Sequence, residues 1–371
     1  MKSGQLLIGW DGYSYHSPSI GDDFGIYIII PKLAQLLDIT LQKSIDLFFY
    51  LLLLLPLVIG AIMVCLTHRL LLQKIIGVGG LLLLARFAYA VGDLYLAYYA
   101  AAVILPLVAL HVIKTSNKNY FFGACLAIGL LSGLLHYIRA SSYFGPFLVA
   151  VFFIVFSRIF SYSTQLKGFL LYLIGFALVL GTFEKIYADA IKDTKKKLGI
   201  TFAVDKKHAF WHPMYLGLGF LNIKNEYGIS YDDAVGARSV ASYDPKIVIY
   251  SNQYENILRQ EFFKILFADP IFILVTLFAK IGVLLFFLIK FANIGLFAAY
   301  LFRKEWWIDT AFFIGMIFNS VYVLIAVPLH EYALGFIALS VVWSLLSINV
   351  VLELFFLKNY VDSKFFLKEQ K

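Results

Sequence analysis

Charged side chains are scarce in this chain. Asp, Glu, Lys and Arg make up 15% of its 371 residues, where a soluble domain carries roughly a quarter. Water is therefore not its main solvent. Cysteine is nearly missing as well. Cys65 and Cys125 stand apart inside apolar runs, which excludes a disulfide framework and a cysteine-built metal site. There is no HExxH or comparable metal-binding spacing and no nucleotide-binding loop. The apolar stretch 6–10 is too short for the core of a cleavable signal peptide. Internal repeats and low-complexity tracts are also missing.

Apolar residues fill the space that the charges leave. They make up 61% of the chain, and mean hydropathy is +0.83. Several runs reach or approach the ~20 residues that cross a bilayer core. The expected fold is all-α and polytopic, with about nine spans: 46–66, 75–91, 94–113, 121–137, 145–160, 167–183, 280–302, 308–327 and 333–357. Aromatics are 18% of the chain, with 36 Phe and 24 Tyr, and many sit at the ends of apolar runs, where aromatic belts form. Residues 1–44 read as an outer loop with an acidic motif and an amphipathic membrane-surface helix over 28–37. Spans follow over 45–184, then a water-exposed segment over 185–268. Further spans occupy 269–357, before a tail over 358–371. Within 269–357 the stretch 269–279 reads either as an interfacial helix or as part of a longer span.

The net charge of +8 falls mostly in short loops, so it reads as loop charge at a membrane and not as a nucleic-acid footprint. Arg69 and Lys74, Lys114 and Lys118, Arg158 and Lys167, Arg303 and Lys304, and the tail lysines all lie on one side of the expected topology. That side is assigned to the cytoplasm. The N-terminus and the 185–268 segment then lie outside.

The candidate chemistry gathers on the outer side. Asp11, Asp22 and Asp23 precede the surface helix, and neighbouring carboxylates can raise one pKa towards that of a general base; the bland alternative is helix capping. Arg86 stands near Asp93 and Tyr95, either to hold a phosphate or to form a structural ion pair. His136 and Arg139 join two spans, as phosphate ligands or as interfacial anchors. His330, Glu331 and Tyr332 follow Pro328, either to bind a pyrophosphate or sugar or to form a polar turn. Within the segment, His212 beside Trp211, with Asp232 and Asp233, suits carbohydrate, because rings pack on sugar C–H faces and carboxylates accept hydroxyl hydrogens.

The stretch Gly21-Asp22-Asp23-Phe24-Gly25-Ile26-Tyr27, followed by a surface helix, resembles the first outer loop of the GT-C superfamily of membrane glycosyltransferases, in the bacterial branch with the aminoarabinose transferases and protein O-mannosyltransferases. Gly92-Asp93-Leu94-Tyr95 and Pro328-Leu329-His330-Glu331-Tyr332 are similar to later elements of that pattern. The family places a span ahead of the acidic loop; here the loop begins at residue 11 with none before it, which makes the expected span count odd. The resemblance implies a polyprenyl-phosphate sugar donor and a lipid, glycan or protein acceptor. It also implies a bacterial cytoplasmic membrane with an extracytoplasmic active face. Asp22 or Asp23 would take the acceptor proton, while Arg86, Arg139 or His330 would neutralise the departing phosphate. A divalent cation is the one cofactor left open. The competing expectations are an O-antigen ligase or polymerase, a transporter or flippase of lipid-linked glycans (hinted at only by Pro56 and Pro106 within spans), and a noncatalytic scaffold.

Overall fold

The computed structural model describes residues 9–10, 15–16, 25–140, 142–199, 209–221, 225–302 and 306–369. The catalytic candidates Asp11, Asp22 and Asp23 lie outside the described residues. Among the described residues Gly9 and Trp10 pair antiparallel with His16 and Tyr15, and every other regular element is helical. The protein is an all-α polytopic membrane protein. Eight helices among the described residues are long and apolar enough to cross a bilayer.

Helix α1 (Ile26–Leu37) is short, with Ile28, Ile30 and Pro31 buried and Leu36 and Leu37 exposed. It leads into α2 (Leu41–Thr67), whose start is capped by the Thr40 hydroxyl accepting from Lys43 N. Then come α3 (Leu71–Val91), α4 (Leu96–Thr115), α5 (Lys118–Ile138), α6 (Phe144–Phe156) and α7 (Tyr162–Leu198). Both α2 and α4 run unbroken through Pro56 and Pro106, so neither proline makes the interrupted helix that a transporter site would use.

The fifth expected span, 145–160, is the 13-residue α6, only about 20 Å long. Its path follows from its neighbours. Helices α5 and α7 run parallel: Gly168 lies against Phe121 and Cys125, Gly129 against Tyr172, and the Tyr137 hydroxyl donates to Leu180 O and Glu184. The chain must therefore return between them, through α6 and residues 157–161. Gly129 and Gly133 make that close approach possible: a Cβ on Gly129 would run into the Tyr172 backbone.

One expected boundary moves. The span 167–183 runs on into the expected water-exposed segment as one continuous α7 of 37 residues, about 55 Å long, so it projects well past a ~30 Å hydrocarbon core. Stretch 269–279 belongs to the long α11 (Pro270–Leu301), because Asp269 caps its start by accepting from Phe272 N and Pro270 occupies its first turn. Between these lie three small helices, α8 (Trp211–Leu216), α9 (Asp233–Ala241) and α10 (Asn252–Ala268). They have a hydrophobic core of their own around Tyr215, Leu216, Val235, Tyr254 and Leu258. Helices α12 (Trp306–Ile325) and α13 (His330–Glu369) complete the bundle.

Helix α4 lies at the centre and is buried along nearly its whole length. Its Ala-rich start, Ala97 to Ala102, lets neighbours approach from several sides. Helix α13 packs beside it, with Trp343 buried and its Nε1 donating to Asp309 at 2.7 Å. The exposed apolar faces of α2, α7 and α11 are where the bilayer lies. One end of the bundle carries the 209–268 segment and is called the capped end below. The other is the open end.

Candidate functional site

At the capped end a cleft of about 400 Å³ opens between the segment and the ends of the spans. Its walls include Arg139, His212, Tyr231, Asp233, Tyr250 and Tyr332. Apolar side chains of α12, Val321 and Ile325 among them, form its membrane side.

The segment contributes a carboxylate held by an imidazole. Glu255, from α10, accepts from the amides of Phe210, Trp211 and His212 at 2.8, 2.7 and 3.2 Å. Three otherwise orphaned donors at the start of α8 meet one negative charge, which fixes that turn. The turn aims the buried His212 between two partners. Its Nδ1 lies 2.7 Å from the Tyr254 hydroxyl and its Nε2 lies 3.1 Å from Asp233 Oδ1. Burial first, then the nearby acidic groups, pushes the Tyr254 phenol upward, so it keeps its proton and donates. Assigned from these partners, the imidazole accepts at Nδ1 from the Tyr254 hydroxyl and donates from Nε2 to the carboxylate. Both ring nitrogens are thus engaged. The group left to meet a ligand is Asp233, whose side chain is 83% exposed. The neighbouring Asp232 serves the backbone instead, since its carboxylate accepts from Ala234 N and caps α9.

The spans contribute a cation and a ladder of phenols. Arg139, at the C-terminal end of α5, lies 4.8 Å over the Tyr95 ring, and its Nη2 is 3.4 Å from the Tyr95 hydroxyl. Tyr95 packs edge-on against Tyr332, and the Tyr332 hydroxyl meets that of Tyr231 at 2.9 Å. Burial raises the phenol pKa of both Tyr95 and Tyr231, against the opposing pull of Arg139 at Tyr95. Both stay protonated as donors.

Four of the sequence candidates therefore converge on the cleft, namely Arg139, His212, Asp233 and Tyr332, and Tyr95 stands behind Arg139. The others point elsewhere. Arg86 is exposed on the apolar face with Leu82 and Leu83, 5.9 Å from the Tyr89 ring. Asp93 is exposed in the α3–α4 turn with φ +57°. No Arg86–Asp93 ion pair forms among the described residues. His136 packs among Tyr143 and Phe176, in the seam of α5 and α7. His330 packs against Phe87 and Phe287, and Glu331 lies in the first turn of α13, outside the cleft lining. Among the described residues no group of three His, Cys, Asp or Glu is placed to hold a metal, so these residues alone do not fit a divalent cation.

Two features were not legible in advance. Gly25 N donates to Tyr137 O at 2.7 Å, and a Cβ there would collide with Tyr137. The chain is thereby pinned, two residues after Asp23, to the helix end that carries Arg139. Lys280, 3% exposed inside α11, donates to the carbonyls of Leu324 and Ala326 at 2.8 and 2.6 Å and so closes the C-terminal end of α12 beside the cleft. In the sequence Lys280 sits at a span boundary, where a lysine is unremarked.

Comparison of the chain with protein-family models, with curated proteins and with solved structures gives no match.

Proposed function

We propose that this protein is a membrane glycosyltransferase that moves a sugar from a polyprenyl-phosphate carrier to a hydroxyl acceptor, in the cleft at the capped end. The supporting observation is the meeting, at the ends of apolar spans, of one arginine, a tyrosine ladder and an imidazole-held carboxylate around a single cleft. A lipid-linked donor needs that arrangement. Its tail stays among the spans, its phosphate needs a cation at the interface, and its sugar needs hydroxyl partners on the watery side.

In this reading Arg139 meets the phosphate and offsets the charge that develops as polyprenyl phosphate leaves. Asp233 and the tyrosines hold sugar hydroxyls. The acceptor oxygen bonds to the anomeric carbon as the bond from that carbon to the phosphate oxygen breaks. The acceptor proton passes to a carboxylate, for which Asp22 and Asp23 are the candidates carried by the family resemblance. The capped end would be the extracytoplasmic face of a bacterial cytoplasmic membrane.

Purified protein in nanodiscs, given radiolabelled polyprenyl-phosphate sugars, should release polyprenyl phosphate. Asp22→Asn/Asp23→Asn and Arg139→Ala should each lower release by about 10²-fold or more. Equal release by wild type and both variants would sink the proposal.

A further inference from the structure

At the open end, far along the spans from the cleft, a second polar cavity of about 370 Å³ lies between α2, α3, α4 and α13. We propose that it is a binding site for the phosphate headgroup of an anionic phospholipid, independent of the glycosyltransferase reading.

Its walls are built. His68 and Gln73 are both buried, at 7% and 2% exposure, and each is fixed by hydrogen bonds. His68 Nε2 lies 3.1 Å from Asn349 Nδ2, and Gln73 donates to Asn349 O at 2.8 Å while accepting from Leu70 N. These bonds join the α2–α3 turn to α13 and set the shape of the cavity. Two cations, Arg69 and Lys114, face into it with Glu353 as the one carboxylate in the lining. Neither cation forms an ion pair among the described residues. Lys114 has only a long bond to Thr67 O, at 3.4 Å. Two cations against one carboxylate leave the lining with a net positive charge, which a bound anion would balance. The start of α3 lies at the same place, and the dipole of a helix start favours an anion too.

The surroundings select a lipid over a free phosphate. Leu66 lines the cavity and is 60% exposed, and Leu71 and Leu72 beside it are 73% and 40% exposed. An acyl chain can run along this apolar face while its phosphate sits between Arg69 and Lys114. Basic pockets between spans are suited to such headgroups.

The test uses delipidated full-length protein and native mass spectrometry with equimolar phosphatidylglycerol and phosphatidylcholine. Wild type should retain phosphatidylglycerol preferentially. Arg69→Ala/Lys114→Ala should lose about 25-fold in that preference, at roughly fivefold per cation. Lys74→Ala/Lys118→Ala, which alters nearby charge outside the cavity lining, should keep it. An unchanged preference in the first variant, or an equal loss in the second, would overturn the site in favour of diffuse surface charge. A parallel melting series with inorganic phosphate tests the source: stabilisation equal to that by phosphatidylglycerol, and lost with Arg69 and Lys114, would overturn the lipid assignment. If the double Ala variant fails to fold, Arg69→Gln alone should still show a partial loss of preference, and no loss there would count against the site.

Discussion

Asp233 meets solvent while its imidazole partner does not, so the two residues should respond differently to substitution. Under the proposed function, Asp233→Asn would remove a charge-assisted hydrogen bond to substrate, worth about 1.5–3 kcal/mol, and should lower kcat/KM by roughly 10- to 100-fold. Tyr254→Phe acts only through His212, so its effect on released polyprenyl phosphate should be several times smaller. At the open end, His68 is buried, and burial followed by the charge of Lys114 pushes its pKa down to about 4. An unfolded histidine binds its proton near pH 6.5. The stability this residue contributes is therefore complete above about pH 6.5 and is lost as pH falls towards 4. Melting temperatures taken from pH 8 to pH 4 should show this decline, and His68→Gln should flatten it. Arg139, His212, Asp233, Tyr95 and Tyr332 are legible in the sequence because polar groups between apolar runs are conspicuous. Sequence alone does not separate them from Asp232, His136, His330 and Arg86: residues one or two apart on a helix face different ways, and Arg139, three residues after His136, lies beyond the last turn in extended backbone. Tyr231, Tyr254 and Glu255 carry no local signal at all. Their roles come from partners tens of residues away.

Among the elements, the pairing of α5 with α7 depends on small residues, and that can be tested against a neighbour. Gly129→Leu should force the two backbones apart and cost about 1–3 kcal/mol. Gly123→Leu, on the same helix but with open space around its Cβ, should leave the melting temperature close to wild type. Eight long apolar helices were legible from hydropathy, while the run 145–160 forms only the 13-residue α6. The end of α7 was not legible, because that helix continues past its apolar run and a change of solvent along a helix does not interrupt its hydrogen bonds. For α11 the reading of 269–279 as part of a longer span holds, and Asp269-Pro270 marks its start through capping chemistry that is readable in any solvent.

For the whole molecule, the parallel run of α5 and α7 places the α4–α5 turn and the 209–268 segment at opposite ends of the bundle. In a Cys65→Ala/Cys125→Ala background, single cysteines at Asn119→Cys and Ser242→Cys should differ in labelling by a membrane-impermeant maleimide on intact cells. Labelling of both from one side would overturn the path drawn through α6. The bundle has one further consequence, for the order in which it is made. Lys280 finds its carbonyl partners 46 residues later in the chain, at Ala326. A ribosome adds about 5–20 residues per second. The seventh span therefore enters the bilayer several seconds before anything exists to receive its lysine. During that interval the Nζ must reach up to the headgroups or be sheltered by the insertion machinery, and it turns inward only once α12 arrives. Lys280 would thus act as a latch that closes late, joining the last helices to the first seven.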